Sequence, residues 1–359
     1  MTQPSFHTTT GAILASDGIP LHFGDQAAEY QAALHAAVLM DRSHEGRLLL
    51  SGKDRLDLIG RTSTNDTARL KPGMGVPTLF TSPIGRVIDR VTVFHLGDEA
   101  LVLTEPGRGE AVRGYIGRNT FFNDEVRMTD LSATHNAFML AGPRADEAIR
   151  AISPEAADNP ALTSRKVSIV GTECIVSRVK PLSGAQWSII APHEQAGEVW
   201  HALLKSGAEA GLIAAGSLTY NVLRIRAGRP GVGRELTADY IPLEIGLWDE
   251  VSFTKGCYTG QEIIARMESR RKLARTIVTL KPDGDIAAPA PLFMNGKQVG
   301  MVTSAVTAPD GSHFAIGVLK VSASQPDTVL QIALPAGTVE AQVVAYAGVQ
   351  PALAEETEA

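Results

Sequence analysis

The chain has 359 residues, of which 44% are hydrophobic and 20% charged, with a formal net charge of −6. This is the composition of a globular protein with room for a sizeable core and about two or three domains. The negative balance argues against a general nucleic-acid binder, and no stretch approaches the ~20 apolar residues of a membrane span.

The first ten residues carry neither a basic nor an apolar leader, so no secretory signal is expected. Residues 26–40 read as one helix with Ala, Leu and Val on one side. A strand follows at 47–51, a helix at 53–61 and a polar turn at 62–67. Pro72, Gly73, Gly75 and Pro77 mark a turn before a strand near 78–81. Over residues 86–96, Val87, Val91 and Val93 share one face, as a half-buried strand requires. Residues 100–104 pair with it across Gly97-Asp98.

A helix is expected over 107–120, a strand over 137–141 and a short helix over 144–152. Strands recur at 166–170, 173–179 and 186–191. Residues 194–205 form an amphipathic helix with Ala196, Val199, Trp200, Leu203 and Leu204 on one stripe. Another helix runs over 217–226. Strands and helices mix without steady alternation, which indicates an α+β fold. Beyond residue 273 only short strands follow, at 275–280, 292–294, 298–306, 314–319 and 339–345. Asn295-Gly296 between two of them is a hairpin signal, and the set predicts a small β-barrel.

Cys174 and Cys257 are the two cysteines, far apart and without a Cys-x-x-Cys. They support neither a disulfide framework nor a thiolate zinc site, and a reducing cytoplasm is expected. The run Lys255-Gly256-Cys257-Tyr258-Thr259-Gly260-Gln261-Glu262 sets one of them among glycines ahead of a helix start. Thr259 and Glu262 have capping-box spacing, and Ile263, Ile264 and Met267 recur at helical spacing. A thiol beside Lys255 and near a helix N-terminus sits in an electropositive place. The alternative is a small, inert, buried hydrophobe in a tight turn.

Residues 224–235 carry four arginines separated by glycines, either an anion-binding loop or a solvated turn. Gly228, Gly231 and Gly233 lack the spacing of a dinucleotide fingerprint, and no phosphate loop is present. Arg270, Arg271 and Lys272 close the helix after Cys257, where cations suit a helix C-terminus, or form a patch for a polyanionic tail. Asp89 stands in an apolar, β-branched strand to which aspartate is poorly suited, so it faces either solvent or a cleft. The nine histidines make no metal spacing, and no permanent metal is expected. His44, within Asp41-Arg42-Ser43-His44-Glu45, suits a surface role better than a Ser–His relay.

These stretches together resemble the folate-binding YgfZ family, relatives of the glycine-cleavage T-protein that act in iron–sulfur protein maintenance. The run at 255–262 is that family's hallmark. Asp41 to His44 with Gly46, Thr64-Asn65-Asp66 with Gly73, and Gly85 to Asp89 resemble segments of the wider superfamily. So do Gly228 to Glu235, Pro242-Leu243-Glu244 with Gly246-Leu247, and Val299 to Ser304, so the likeness covers roughly residues 30–345.

The resemblance implies an α+β fold of three domains around a central opening that holds tetrahydrofolate or a derivative. Residues 1–272 would form two intertwined α+β subdomains, 273–348 the barrel and 349–359 a disordered tail. It implies a cytoplasmic protein that binds reduced folate and supports assembly or repair of iron–sulfur enzymes. Its partners would be iron–sulfur client or assembly proteins, with neither nucleic acid nor membrane involved. Cys257 is then the reactive group and Lys255 its electrostatic partner. Gly256 and Gly260 permit close backbone approach, while Tyr258, Gln261 and Glu262 complete the motif.

Asp89, Asn65, Arg224, Arg226 and Glu235 are the folate-binding candidates that the resemblance implies. The T-protein carries paired aspartates where this chain has Asp89-Arg90, and a pterin-binding glutamate where it has Arg226. Its Gly-Tyr-Thr-Gly-Glu segment is not evident over 181–187. A rival reading is a tetrahydrofolate-dependent aminomethyl- or methyltransferase with Asp89 as its carboxylate. A third is a non-catalytic scaffold that docks a partner at 270–272.

Overall fold

The computed structural model describes residues 6–7, 10–270, 273–335 and 337–349. Residues 350–359, expected as a disordered tail, lie outside the described residues, as do Arg271 and Lys272. The chain divides into two compact units. One comprises Met1–Ile59, Thr67–Pro77 and Val91–Leu223, the other Gly60–Asp66, Thr78–Arg90 and Arg224–Ala359.

The first unit is built on a six-stranded sheet. Its strands lie in the order Thr163–Ile169, Thr172–Arg178, Ala185–Pro192, His135–Gly142, Ala37–Asp41 and Leu212–Ala214. All pairs are antiparallel except the last, in which Leu212–Ala214 runs parallel to Ala37–Asp41. Phe138, Leu140, Trp187 and Ile189 from this sheet meet Ile149, Val199, Trp200 and Leu203 from the helices Ala145–Ile152 and Ala196–Ser206 in one buried core.

Residues 26–40 are not one helix. The helix ends at His35, and Ala37–Asp41 is a strand buried at every position. A strand covered on both faces shows a continuous apolar run rather than alternation, so periodicity cannot separate it from a buried helix.

A five-stranded sheet has the order Gly75–Thr81, Val87–His95, Glu99–Pro106, Glu45–Ser51 and Arg127–Asp130. Its first two strands each pass from one unit into the other, at Pro77/Thr78 and at Arg90/Val91. Arg127–Asp130 and Leu212–Ala214 escape a sequence reading because they are only 4 and 3 residues long.

The second unit contains a closed six-stranded barrel. Its order is Arg275–Pro282, His313–Lys320, Lys297–Thr307, Ala290–Met294, Val329–Leu334 and Gly337–Tyr346. Val278, Leu280, Leu292, Val302, Leu319, Ile332 and Val343 fill it. Asn295 and Gly296 turn at φ of 51° and 74°, the double positive φ of a tight hairpin that those two residue types tolerate. Residues outside the barrel interior make a second core, in which Leu79, Val87, Ile225, Ile245 and Leu247 pack with Ile277, Ile316 and Val318. Val349 N–H donates to the Gly246 carbonyl at 2.9 Å.

Candidate functional site

The octet at 255–262 folds as a braced turn in the second unit. Lys255 Nζ donates to the carbonyls of Gly60, of Ser63 at 2.8 Å and of Asn65 at 2.7 Å. An ammonium has three donors, and all three go to backbone oxygens at and just past the end of the helix Arg55–Thr62. The Gly60 and Ser63 carbonyls lie at the helix end, where acceptors are left unsatisfied and a cation is favoured. Lys255 therefore acts as a structural brace. Its Nζ also lies 5.2 Å from the centre of the Tyr258 ring.

Tyr258 is buried with Ile241, Leu243, Val251 and Ile264. Desolvation pushes its phenol up to about 12. Gly260 has φ +86°, and a Cβ there would sit 2.5 Å from the Ser82 carbonyl oxygen and 2.9 Å from the Gly85 Cα. Only glycine fits this approach.

The helix begins at Gln261, not with Thr259 as its cap. The Gly260 carbonyl accepts from Ile264 N–H, while the Thr259 carbonyl accepts from Thr81 Oγ1 at 2.6 Å. With the first helical residue at Gln261, Gly260 and not Thr259 stands at the cap position, so the spacing of Thr259 to Glu262 does not make a capping box. Cys257 is exposed in this turn, which removes the reading of a buried inert hydrophobe. That description fits Cys174 instead, 1% exposed with its thiol pushed up to about 12 by desolvation. Arg270 ends the helix Gln261–Arg270 and is exposed.

Asp89 lies in Val87–His95 and is only 4% exposed, so it does not lie on a solvated face. Its neighbour Arg90 makes a bidentate pair with Glu250, with Nε–Oε2 and Nη2–Oε1 both at 2.6 Å. Successive strand residues point to opposite faces, so Arg90 is held on one side and Asp89 is presented on the other. Glu250 was invisible in the sequence, lying in an unremarkable Trp248-Asp249-Glu250 stretch and 160 positions from its partner. Asn65 is used locally. Its N–H donates to Thr78 Oγ1 at 2.8 Å and its Nδ2 to the Asp249 carbonyl at 3.4 Å.

Arg224 and Glu235, both expected at a folate, close on each other instead. Glu235 is fully buried and accepts from Gly231 N–H at 2.8 Å, Ser304 Oγ at 2.8 Å and Arg224 Nη1 at 3.4 Å. Arg224 also donates to the Arg229 carbonyl and to Ser304 Oγ, both at 3.1 Å. Three acceptors, the buried Glu235 carboxylate, the Arg229 carbonyl and Ser304 Oγ, turn this arginine inward, so at Arg224 the loop is neither an open anion site nor a solvated turn. Arg226, two residues on, is exposed and lies 5.5 Å from the Phe314 ring centre.

In the first unit, Ser43 Oγ accepts from Asn136 Nδ2 at 3.0 Å and Ala137 N–H at 3.1 Å, so it serves the backbone rather than a relay with His44. Burial, then the charge of Arg42, lowers the His44 imidazole below its ordinary value. Among the described residues no group of three His, Cys, Asp or Glu is placed to hold a metal ion. Among them no helix is long and apolar enough to cross a membrane.

Two family models match the chain. Residues 16–255 match the GCVT N-terminal domain, and residues 275–348 match the glycine cleavage T-protein C-terminal barrel domain. A putative chloroplastic transferase of Arabidopsis thaliana is 28% identical over 319 residues, covering 88% of this chain and 73% of that protein. An aminomethyltransferase of Moorella thermoacetica is 27% identical over 345 residues, 94% of each chain. The crystal structure of the glycine cleavage system aminomethyltransferase T from Bartonella henselae shares the fold. It superposes with a TM-score of 0.83 over 94% of both chains at 21% identity. The chain belongs to the glycine-cleavage T-protein family, carrying both its N-terminal domain and its C-terminal barrel.

Proposed function

We propose that this protein binds a reduced folate and acts in transfer of an aminomethyl or methyl group, with Asp89 as the carboxylate at the reacting nitrogen. The observation that carries the reading is the buried Asp89 carboxylate, its strand position held by the Arg90–Glu250 pair. Relatives named aminomethyltransferase over nearly their whole length support it.

A tetrahydrofolate supplies the one-carbon carrier on its ring nitrogens. Asp89 fits as an acceptor that positions an N–H or takes its proton. Arg224 and Glu235 do not fit as folate ligands, because they are closed on each other. Arg226 offers donors where the T-protein's glutamate offers an acceptor.

The test is incubation with tetrahydrofolate and one-carbon donors, followed by detection of methyl- or methylene-tetrahydrofolate. Asp89→Asn is expected to lower the rate by about 100-fold or more, the size of a general acid–base contribution. Absence of product with the wild-type protein under all donors would sink the reading.

A second reading is favoured by the exposed Cys257 in its braced turn. It is a YgfZ-type, cytoplasmic role in assembly or repair of iron–sulfur enzymes, with those enzymes or their assembly proteins as partners and Cys257 as the working group. Cys257→Ala should then lower iron–sulfur enzyme activity under oxidative stress as far as deletion of the whole protein does. If deletion lowers that activity and Cys257→Ala does not, the thiol has no such role. Should reduced folate fail to bind saturably at sub-millimolar concentration, a partner-binding scaffold becomes the better account.

A further inference from the structure

The flank of the barrel carries a cleft lined by neither Asp89 nor Cys257. Its volume is about 650 Å3, inside the ~300–1,000 Å3 range of small-molecule sites. Val299, Met301 and Val318 give it an aliphatic wall. A β-bulge shapes that wall. Gln298 pairs with Phe293 and Gly300 with Leu292, so Val299 is an extra residue in its strand. Bulges re-aim side chains and are over-represented beside functional sites. Gly300 lets the neighbouring strand come close, since a Cβ there would sit 2.3 Å from the Val318 carbonyl oxygen.

The cleft is also electropositive. Arg275 and Lys320 are direct cross-strand partners and both line it, while no acid is among the lining residues. Like charges placed opposite each other destabilise a sheet. Arg275 is already committed. Its Nε and Nη2 each donate to Glu244 at 3.2 Å, and Nη2 also donates to the Asp239 carbonyl at 2.9 Å. Glu244 is shared with Arg86 Nη1 at 3.5 Å, so one carboxylate already serves two guanidiniums. Lys320 pairs with no carboxylate among the described residues, and its Nζ makes one long bond, 3.4 Å, to the Gln298 carbonyl. An ammonium has three donors, which leaves Lys320 with donors for a ligand. The Asp239 carboxylate accepts from Thr237 Oγ1 at 3.2 Å and lies outside the lining. Arg86, Arg275 and Lys320 thus outnumber Glu244 and Asp239, and the excess charge falls at Lys320.

We propose that this cleft binds a small aliphatic monocarboxylate. The carboxylate meets the Lys320 ammonium, with the Ser322 hydroxyl of the same lining as a second donor, and the alkyl chain lies along Val299, Met301 and Val318. Arg275 stays on Glu244 and contributes only its field. The bound anion relieves the opposition of Arg275 and Lys320, whereas Glu244 opposes a second negative charge, which selects a carboxylate over a phosphate dianion. The inference goes beyond the folate reading and uses none of the folate candidates.

The test is an NMR titration of the full chain, carrying isotope-labelled methionine methyls, with hexanoate, its neutral amide hexanamide, and acetate. The Met301 methyl resonance, assigned through Met301→Leu, reports contact with the wall. Hexanoate is expected to saturate with a Kd below about 1 mM, reasonable for a ligand of this size. The amide should bind at least ~10-fold more weakly, because it loses the charge-assisted pair. Acetate, too short to cover the wall, should bind at least ~30-fold more weakly. Lys320→Met, at an exposed position, should weaken hexanoate by about 10-fold and leave hexanamide unchanged. Because it removes one of two opposed charges, its melting temperature should not fall. No saturation up to 10 mM hexanoate, which is roughly ten times the expected Kd, would overturn the proposal. So would equal binding of acid and amide, equal binding of hexanoate and acetate, or a Lys320→Met protein that binds hexanoate unchanged. Reduced-folate binding measured on the same preparations reports separately on the Asp89 reading.

Discussion

Arg224 and Arg226 stand two residues apart at the end of one helix, and Lys255 and Cys257 two apart in one turn. In each pair the first residue is drawn inward. Arg224 meets Glu235, Ser304 and a backbone carbonyl, and Lys255 meets three backbone carbonyls. The second residue of each pair is left exposed, Arg226 beside the Phe314 ring and Cys257 at the turn. A signature segment therefore mixes residues that build the display with residues that are displayed. The chemically loudest side chain, an arginine or lysine, can belong to the first kind.

The comparison breaks if the inward residues prove dispensable or the displayed ones prove structural. The largest effect is expected at Glu235→Ala, which leaves Arg224 buried without its carboxylate and should cost about 3–5 kcal/mol in urea denaturation. Arg226→Ala should stay within about 0.5 kcal/mol of wild type. Gly260→Ala comes next. The added methyl meets the Ser82 carbonyl at 2.5 Å on a positive-φ backbone, so a loss of about 2–4 kcal/mol is expected in the same assay.

Lys255→Met removes the donors to three carbonyls, and a loss of about 1–3 kcal/mol is expected because water reaches part of that site. Cys257→Ser, two residues on, should be neutral within about 0.5 kcal/mol. A Cys257→Ser protein as unstable as Lys255→Met would show that the thiol, too, is part of the brace.

Tyr258 sharpens the picture through pH. Burial raises its phenol in the folded state to about 12 from an ordinary value of 10.0. The folded protein then holds a proton that the unfolded chain releases. The stabilisation is complete below pH 10 and is lost as pH rises from there towards 12. Tyr258→Phe should flatten that part of the stability–pH curve, as read by thermal melting across the alkaline range. A curve unchanged by the substitution would mean that the phenol is solvated.

The smallest effect on the fold is chemical labelling. Iodoacetamide should modify Cys257 in the native protein and reach Cys174 only on unfolding, as peptide mass mapping would read. Cys174 is 1% exposed, with its thiol held up at about 12, and the thiolate is the reactive form.

Much of the architecture was legible because it rests on local rules. The Asn295-Gly296 hairpin, the amphipathic helix Ala196–Ser206 and the run of short barrel strands follow from φ tolerance and from periodicities of two and 3.6. The strand Ala37–Asp41 was misread because burial on both faces erases its alternation. The capping box is absent at Thr259 because the helix starts one residue later than that spacing requires, at Gln261 after Gly260.

By itself, then, the sequence determined most of the element types, the barrel and the segments in which chemistry would concentrate, since these depend on neighbours a few residues apart. Which member of each segment faces outward was decided only in the tertiary structure. The partners that settle it are distant: Asn65 accepts from Lys255 across 190 positions, Glu250 meets Arg90 across 160, and Ser304 meets Arg224 across 80. A buried charge must find its counter-group wherever the fold places one, and no local pattern records where that is.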